Sequence, residues 1–299
     1  MTWQEEAYDL FKKGLSVRKI GKRLNVAKST VADYLKPFRD LPLNDAKVLV
    51  FDIETAPMEA YVWNLYPKFI STNQLKQSWT VLTWSAKWLD SPTMMNASVD
   101  PSAPRDDFDV VEELWQLFDE ADIVVAHNGD KFDVKRMNTR FLLLGLPEPS
   151  PYRSIDTLKI SKRKFSFASN RLDYISKVTG GEGKLSHEGF GMWEKCLQGD
   201  AEALQNMQDY NDVDVLELER VYKILRSWDH HHPNLGAFSK EEVVCPVCSS
   251  GDVTPTGKFY MTQTQQYPTF RCGSCGKISR SRNSSSVANP KKQGLIPSK

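Results

Sequence analysis

The sequence predicts an α/β protein: a mixed β-sheet flanked by helices, with a small all-α unit before it and a small β unit after it. Three observations predict this. Residues 48–51 form an apolar, β-favouring run typical of a strand buried on both faces. Segments with strand and helix periodicity alternate after it. Two Cys-x₂-Cys pairs, at 245–248 and 272–275, lie in a polar C-terminal region.

The net charge of +1 over 299 residues conceals an uneven distribution. Lys and Arg outnumber Asp and Glu by nine to five in residues 1–40 and by nine to three in residues 240–299. Residues 41–239 instead hold 21 basic and 30 acidic side chains. Two basic ends therefore enclose an acidic middle, and we expect an anionic partner to contact the ends.

No apolar run approaches the ~18 residues of a membrane span, and the first residues do not follow the pattern of a secretory signal. We therefore expect no membrane partner and a cytoplasmic location, in the host-cell cytoplasm if the source is a phage. In that reducing setting clustered cysteines are expected to bind metal rather than form disulfides. Cys196 stands alone and is expected to be inert and half-buried.

Residues 1–40 predict a helix-turn-helix DNA-binding domain. Apolar residues recur at helical spacing in residues 3–13, where Gly14 ends the helix, and again from the predicted N-cap Ser16 onwards. A short turn at 25–27 leads to a third helix. The residues that begin this helix and point outward are predicted to bind DNA, namely Lys28, Ser29 and Thr30. The segment resembles the tri-helical modules of resolvases and regulators; a three-helix packing unit without a nucleic-acid role is the alternative.

The central region predicts the sheet and its helices. Predicted strands lie at 48–55, 80–89, 94–99 and 123–128, and predicted helices at 107–120, 133–144 and 200–227. Trp79, Trp84 and Trp88 alternate with strand residues and are expected to pack in the core.

Two carboxylates end the first strand. Asp52 and Glu54 are two residues apart, so their side chains leave the same face of the strand and repel each other. A divalent cation between them would offset the cost of burying both. Two acids that cap a strand in solvent are the alternative.

Two further short sequence blocks each place an aspartate at a defined position of a predicted element. Residues 128–133 read Asn-x₃-Phe-Asp where a strand turns into a helix, and residues 210–214 read Tyr-x₃-Asp on one helical face. Together with Asp-x-Glu at 52–54, they resemble the three motifs of the DnaQ-like, or DEDD, 3′–5′ exonuclease superfamily, in its tyrosine subclass. The resemblance covers residues 46–228 and implies an RNase H-like fold.

The resemblance also implies roles for individual residues. Four carboxylates would hold two Mg²⁺ or Mn²⁺ ions: Asp52, Glu54, Asp133 and Asp214. Tyr210 would orient the attacking water. Three residues would contact the terminal nucleotide: Thr55, Asn128 and Phe132.

Other charged residues lie off the matched positions. Asp130, Asp209 and Asp212 are expected to be solvated, and Asp156 is expected to cap a helix. Lys162, Arg163 and Lys164 precede Phe165 and Phe167, an interleaving that fits binding of a single strand. A solvated loop over an apolar patch is the alternative. Residues 229–240, with three consecutive histidines, are expected to be a linker.

The C-terminal region predicts a zinc ribbon. Cys245, Cys248, Cys272 and Cys275 supply four thiolates, the closed ligand set of one structural Zn²⁺, and strands are expected at 253–260 and 267–271. A redox role for the cysteine pairs is the alternative. The ribbon is placed at 240–280, and 281–299 is expected to be a basic disordered tail.

These observations predict a metal-dependent 3′–5′ exonuclease that releases nucleoside 5′-monophosphates from DNA, single-stranded or at the 3′ ends of duplex. The protein partners expected for such an enzyme are a polymerase or other replication proteins. RNA is the alternative substrate to DNA. The alternatives are an RNase H-like endonuclease of the resolvase or transposase kind, a 3′–5′ exoribonuclease, and a non-catalytic DNA-binding regulator.

Overall fold

A computed structural model describes residues 2–12, 17–39, 46–183, 189–239 and 243–285. The chain divides into two compact units, Met1–Asp45 with Phe238–Lys240 and Ala46–Ala237 with Glu241–Lys299. The four-part domain division predicted from the sequence stays a prediction. Among the helices so described, none is both long and apolar enough to cross a membrane.

The smaller unit contains three helices, α1 (Trp3–Lys12), α2 (Val17–Leu24) and α3 (Lys28–Arg39). They enclose a core of Ala7, Leu10, Val17, Ile20, Val31 and Leu35. A Cβ at position 21 would lie 2.8 Å from the carbonyl oxygen of Val26, so Gly21 is required for the close approach of the turn to α2. The predicted helices are confirmed, whereas Gly14 and Ser16 lie outside the described residues.

The first turn of α3 is exposed to solvent. Lys28, Ser29 and Thr30 are all exposed, as a surface for nucleic acid requires. Their role in DNA binding, and the helix-turn-helix assignment itself, stay predictions.

The larger unit is built on a mixed sheet. Its strands are β1 (Val48–Thr55), β4 (Val81–Trp88), β5 (Met95–Ser98), β6 (Ile123–Ala126) and β7 (Arg153–Asp156), and a short hairpin of β2 (Glu59–Ala60) and β3 (Leu75–Gln77) follows β1. The order is β5-β4-β1-β6-β7, with β4 antiparallel and β6 parallel to the central β1. The predicted mixed sheet is confirmed. The sequence did not predict β7, which is only four residues long.

Helices cover both faces of this sheet. They are α4 (Phe108–Glu120), α5 (Asp133–Leu143), α6 (Thr157–Lys164), α7 (Leu172–Val178), α8 (Phe190–Leu197) and α9 (Ala201–Leu225). The three long helices were predicted. The three helices of seven or eight residues were not, since so few turns give little periodicity. Asp156 caps α6 by accepting bonds from the N–H groups of Leu158 and Lys159, at 3.0 and 3.4 Å, as predicted.

Strand β1 separates two hydrophobic cores. Leu49, Phe51 and Ile53 pack on the side of α4, α5 and the first turns of α9. Val48 and Val50 pack on the opposite side, with α6, α7 and the second half of α9. Every second residue of β1 therefore faces the second half of α9, which determines what Asp52 and Glu54 meet.

A polar network, buried at Gln208 and Ser85, joins α9 to the sheet. Gln208 donates to the Ser85 hydroxyl at 2.8 Å and accepts from the Ser98 hydroxyl at 2.8 Å. Asp212 accepts from the Asn96 amide at 2.9 Å and from Ser85. We call these five residues the polar seam. Asp212, expected to be solvated, is half-buried and is held against the sheet by these partners; Asp209 is exposed as expected.

A second polar contact between α9 and the sheet is an ion pair. Lys87 of β4 and Glu219 of α9 pair while both are almost fully buried. Glu219 also accepts from Lys223 at 2.7 Å and from the Asp90 N–H at 2.9 Å. Burial opposes ionisation of Glu219, but these bonds outweigh it and hold its pKa below the ordinary 4.5.

Glu219→Gln is expected to lower the free energy of unfolding by about 3 kcal/mol, because Lys87 would keep a buried charge without its counter-ion. Urea denaturation at pH 7 measures the loss. Since the folded pKa is depressed, the wild-type advantage is present above pH 4.5 and is lost as the pH falls through the folded value. The control is Glu120→Gln, which breaks an exposed pair with Lys47 and should cost under ~1 kcal/mol. Equal losses in the two variants would contradict the prediction.

The cysteine region forms a three-stranded antiparallel sheet of β8 (Val253–Met261), β9 (Gln266–Cys272) and β10 (Ile278–Arg280). The two strands predicted there are confirmed. The sheet contacts the rest of the unit through a bond from the Leu235 N–H to the Pro246 oxygen, 2.8 Å, and one from Lys277 Nζ to the Asp229 oxygen, 2.7 Å.

The expectation of a linker at 229–240 is wrong for the described residues up to 239. Asp229 and Leu235 are buried, and the Tyr222 hydroxyl lies 2.8 Å from Nε2 of His232. Packing against the end of α9 orders this segment. Cys196, expected to be half-buried, is fully buried in the core.

Candidate active site

Two acids leave β1 on the face that meets α9. Asp52 and Glu54 continue the alternation of Val48 and Val50, so their side chains emerge where the apolar packing of that face ends. Pairing with β6 stops at Val50, whereas β1 continues to Thr55. The carboxylates therefore lie beyond the end of the parallel pairing with β6.

Helix α9 supplies the third acid. Asp214 is 2% exposed and Tyr210, one turn earlier, is 8% exposed, so the Tyr-x₃-Asp spacing directs both side chains inward. Carboxylate oxygens of Asp52, Glu54 and Asp214 lie within 4.8 Å of one another. The structure thus brings together three of the four acids predicted to bind metal.

This donor set suits a divalent cation. Three carboxylates at such distances repel one another strongly, and a hard cation is the partner that removes this cost. The residues present therefore fit the Mg²⁺ or Mn²⁺ that the sequence predicts.

Asn211 adds a contact that the sequence did not predict. Its side-chain nitrogen lies 3.4 Å from Oδ2 of Asp52, and the residue is fully buried on α9 between Tyr210 and Asp212. The amide holds the Asp52 carboxylate from the helix side. Its position next to the Tyr-x₃-Asp block is the only signal that the sequence offers.

Asp133, the fourth acid, lies at the first residue of α5 and falls outside the group of three. It is connected to β1 differently: its carboxylate accepts a bond from the Ile53 N–H, which the end of the β6 ladder leaves available. Burial raises the pKa of Asp133 to about 7, with the charge of Asp156 adding to the rise and the charge of Arg136 opposing it. A cation bound here would favour the ionised carboxylate.

The comparison with known families agrees with this architecture. A model of the RNase H superfamily matches residues 68–226, a little over half of the chain. The chain belongs to the RNase H superfamily. The matched residues include Asp133, Tyr210 and Asp214, while Asp52 and Glu54 precede them.

The chain is also similar to part of a curated protein. The chain is 31% identical over 159 residues to a DNA polymerase III of PolC type from Ureaplasma parvum serovar 3. The similarity covers 46% of this chain and 10% of that polymerase. The chain is thus similar to a small part of a much longer protein.

The turn that enters α5 of this RNase H superfamily member is held by Asp156. Asn128 has φ 68°, in the left-handed region that asparagine tolerates, and its N–H donates to Asp156 Oδ1 at 2.9 Å. Asp130, expected to be solvated, is half-buried at the surface, where it pairs with Lys159 and accepts a bond from the Ser154 hydroxyl. These contacts fix the loop between β6 and Asp133. The predicted role of Asn128 in nucleotide binding stays a prediction.

Arg136 joins three residues at the edge of the site. Its guanidinium lies 4.6 Å from the ring centroid of Trp79 and 4.2 Å from that of Phe132, and it donates to the Thr55 hydroxyl at 2.7 Å. Trp79, expected to be a core residue, is only half-buried here, whereas Trp84 is buried as expected. Thr55 and Phe132, both predicted to contact substrate, thus meet at one cation, which the sequence did not reveal.

The predicted basic segment is helical. Lys162, Arg163 and Lys164 form the last turn of α6, and Arg163 pairs with the buried Asp229. Phe165 and Phe167 stack on each other, 5.2 Å between centroids, and pack on the core. The two rings are half-buried, and both the stacking of bases on them and phosphate contacts of the three cations stay predictions.

The four clustered cysteines form a second candidate metal site. Sγ of Cys245 lies 3.6 Å from that of Cys275, and Sγ of Cys248 lies 3.6 Å from that of Cys272. A tetrahedron with Zn–S bonds of about 2.3 Å has sulfur atoms ~3.8 Å apart. The spacing fits a structural Zn²⁺ and is far longer than the ~2 Å of a disulfide.

Asp133→Asn is expected to raise the free energy of unfolding of the metal-free protein by about 2–4 kcal/mol at pH 8, because the native state no longer holds an ionised buried carboxylate. The wild-type penalty is complete above the folded pKa of about 7 and disappears as the pH falls towards the ordinary 3.8. Denaturation in EDTA at pH 8 and pH 4.5 measures it. Added Mg²⁺ should stabilise wild type more than the variant. A variant that loses stability equally at both pH values would contradict this.

Proposed function

We propose that the chain is a metal-dependent 3′–5′ exonuclease that hydrolyses DNA to nucleoside 5′-monophosphates. The observation that carries the proposal is the group of Asp52, Glu54 and Asp214, within 4.8 Å, in a member of the RNase H superfamily. The similarity to part of a PolC-type DNA polymerase supports DNA as the substrate and a replication context, with polymerase or replication proteins as partners.

The acids, Tyr210 and Asn211 would each have a separate role in hydrolysis. Asp52, Glu54, Asp133 and Asp214 would hold two Mg²⁺ or Mn²⁺ ions, which when bound lower the pKa of a water and stabilise charge on the leaving 3′-oxygen. Tyr210, one turn before Asp214, orients the attacking water through its hydroxyl. Asn211 keeps the Asp52 carboxylate in place.

The nucleotide at the 3′ end is bound beside these acids. Phe132 is 36% exposed and immediately precedes Asp133, so its ring can pack on a terminal base or sugar next to the reacting phosphate. Thr55 is the last residue of β1, and Asn128 lies two residues beyond the end of β6. The basic N-terminal helices and the cysteine region, which we propose to be a helix-turn-helix and a zinc ribbon, contribute phosphate contacts elsewhere.

The test uses Mg²⁺ and 5′-labelled linear oligonucleotides of one sequence, as single-stranded DNA, duplex DNA and RNA, together with an internally labelled circular single-stranded DNA. We expect a ladder of shortened products from linear DNA, release of nucleoside 5′-monophosphate, and no cleavage of the circle. Cleavage of the circle would instead indicate an endonuclease. A ladder on RNA alone would overturn the choice of DNA.

A further inference from the structure

An exposed aromatic loop follows the strand that bears Asp52 and Glu54. Residues 61–71, which we call the aromatic arm, follow β2 and lead into a short 3-10 helix, Thr72–Gln74, that precedes β3. The hairpin closes the arm at its base, where the Tyr61 N–H donates to the Gln74 oxygen at 2.9 Å. Binding residues are found disproportionately on surface loops that a rigid scaffold positions.

The arm exposes large aromatic rings. Trp63 is 96% exposed, Tyr66 90%, Phe69 78% and Tyr61 71%. Single exposed apolar residues are ordinary, but four aromatic rings in nine residues form a patch that indicates a binding surface. The rings have faces open to solvent, which is the condition for stacking against another planar group.

The base of the arm is fixed to the body of the protein. Arg105 pairs with Glu59 and donates to the oxygens of Ser78, at 3.2 Å, and Pro57, at 3.5 Å. The Ser71 hydroxyl and the Gln74 side chain cap the returning turn in a reciprocal pair. The rings are therefore presented from an anchored base.

The anchored base adjoins the active site. Thr55 lies six residues before the arm and Trp79 eight residues after it, and both contact Arg136, three residues after Asp133. The segment that carries the arm thus leaves and returns at the edge of the group that includes Phe132.

The charge of the arm differs from that of its surroundings. Residues 60–79 contain no Asp or Glu and two lysines, Lys68 and Lys76, inside a region 41–239 that holds 30 acids. Carboxylates repel the phosphates of a nucleic acid. This segment has none, unlike the remainder of the acidic region. Aromatic rings with nearby lysines are the combination that binds single-stranded nucleic acid without sequence preference.

We propose that the aromatic arm binds the single strand that leads into the active site by stacking its bases on Tyr61, Trp63, Tyr66 and Phe69. The inference rests on the proposed exonuclease function and adds the binding site for the nucleotides behind the 3′ end. An eleven-residue loop folded back on itself reaches at most about 19 Å. That length corresponds to about five nucleotides of a stacked strand.

The experiment compares wild type with Trp63→Ala/Tyr66→Ala on substrates of increasing length. The shortest is the p-nitrophenyl ester of thymidine 5′-monophosphate, which has no strand; the others are DNA of three, six and twenty nucleotides. The variant should hydrolyse the ester like wild type. Its KM should rise about tenfold or more for the 20-mer, with the full defect already present at about six nucleotides.

Two matched variants identify the kind of contact. Leu65→Ala removes an aliphatic side chain that is 87% exposed on the same arm and should leave KM unchanged, whereas Trp63→Phe/Tyr66→Phe should restore affinity. Binding of a labelled 20-mer in Ca²⁺, followed by anisotropy, reports the arm independently of hydrolysis. Wild type that binds the 20-mer through the arm but hydrolyses neither ester nor DNA would refute the proposed function alone.

Three outcomes overturn the proposal for the arm itself. The first is equal KM for wild type and the double alanine variant on the 20-mer. The second is an equal defect in Leu65→Ala, which indicates an apolar protein interface. The third is a concentration-dependent dimer of wild type, seen in sedimentation, that is absent in Trp63→Ala/Tyr66→Ala. If the difference in affinity disappears together with the dimer, the arm contacts a second copy of the chain.

Discussion

Replacing Asp214 by asparagine is expected to reduce metal-dependent hydrolysis of a DNA 3′ end by on the order of 10³-fold. The amide keeps the shape of the side chain but loses the charge that balances a cation beside Asp52 and Glu54. Because removal of one of three mutually repelling carboxylates relieves the apo protein, we expect its thermal stability to be unchanged or higher. Single-turnover hydrolysis of a 5′-labelled oligonucleotide measures the loss.

The control is Asp209→Asn. Asp209 lies five residues earlier on α9 and is exposed, and its replacement is chemically identical to that of Asp214. It should retain wild-type activity. If Asp214→Asn retained activity within tenfold of wild type, the three-carboxylate group would not be the catalytic site, and a non-catalytic DNA-binding role would become the better account.

The double variant Cys245→Ser/Cys272→Ser is expected to lose its zinc and the fold of residues 243–285. The buried core of this segment consists of Cys245, Val247 and Cys272, too little apolar surface to order three strands without metal. Binding of structural Zn²⁺ supplies about 10–16 kcal/mol in comparable sites. Elemental analysis should fall from one zinc per chain to none, and limited proteolysis should cleave within the segment.

A matched control is available in the fifth cysteine. Cys196 is buried in α8, distant in sequence from the four, and Cys196→Ala should keep one zinc per chain. Should the double variant keep the wild-type proteolysis pattern after zinc is lost, the segment folds without metal and the thiolates serve another purpose.

The acids of the site could be predicted because local rules determine their directions. Period two on β1 puts Asp52 and Glu54 on one face, and the four-residue spacing on α9 does the same for Tyr210 and Asp214. Such rules need no knowledge of distant residues. The same holds for the cysteine pairs, whose spacing alone favours one metal.

Features that depend on distant partners could not be predicted. Gln208 and Asp212 are polar, which favours a position facing solvent. The serines of β4 and β5, more than 100 residues away, bind their side chains, so that Gln208 is buried and Asp212 half-buried. The aromatic arm shows the opposite case, in which apolar residues are exposed. Trp63 and Tyr66 are residue types typical of a buried strand, and no periodicity in the sequence indicates that they are exposed.

The polar seam also limits how this protein can change. Leucine at Gln208 together with alanine at Ser85 and Ser98 would replace hydrogen-bonded groups by apolar ones, an exchange that often leaves a fold as stable or more so. Apolar contacts, however, allow a helix to shift along a sheet, while hydrogen bonds with fixed partners do not. Selection for stability alone would therefore tend to erode the seam. Selection for the position of Asp214 relative to β1 would preserve it. At the polar seam, selection for stability and selection for catalytic geometry therefore favour different residues.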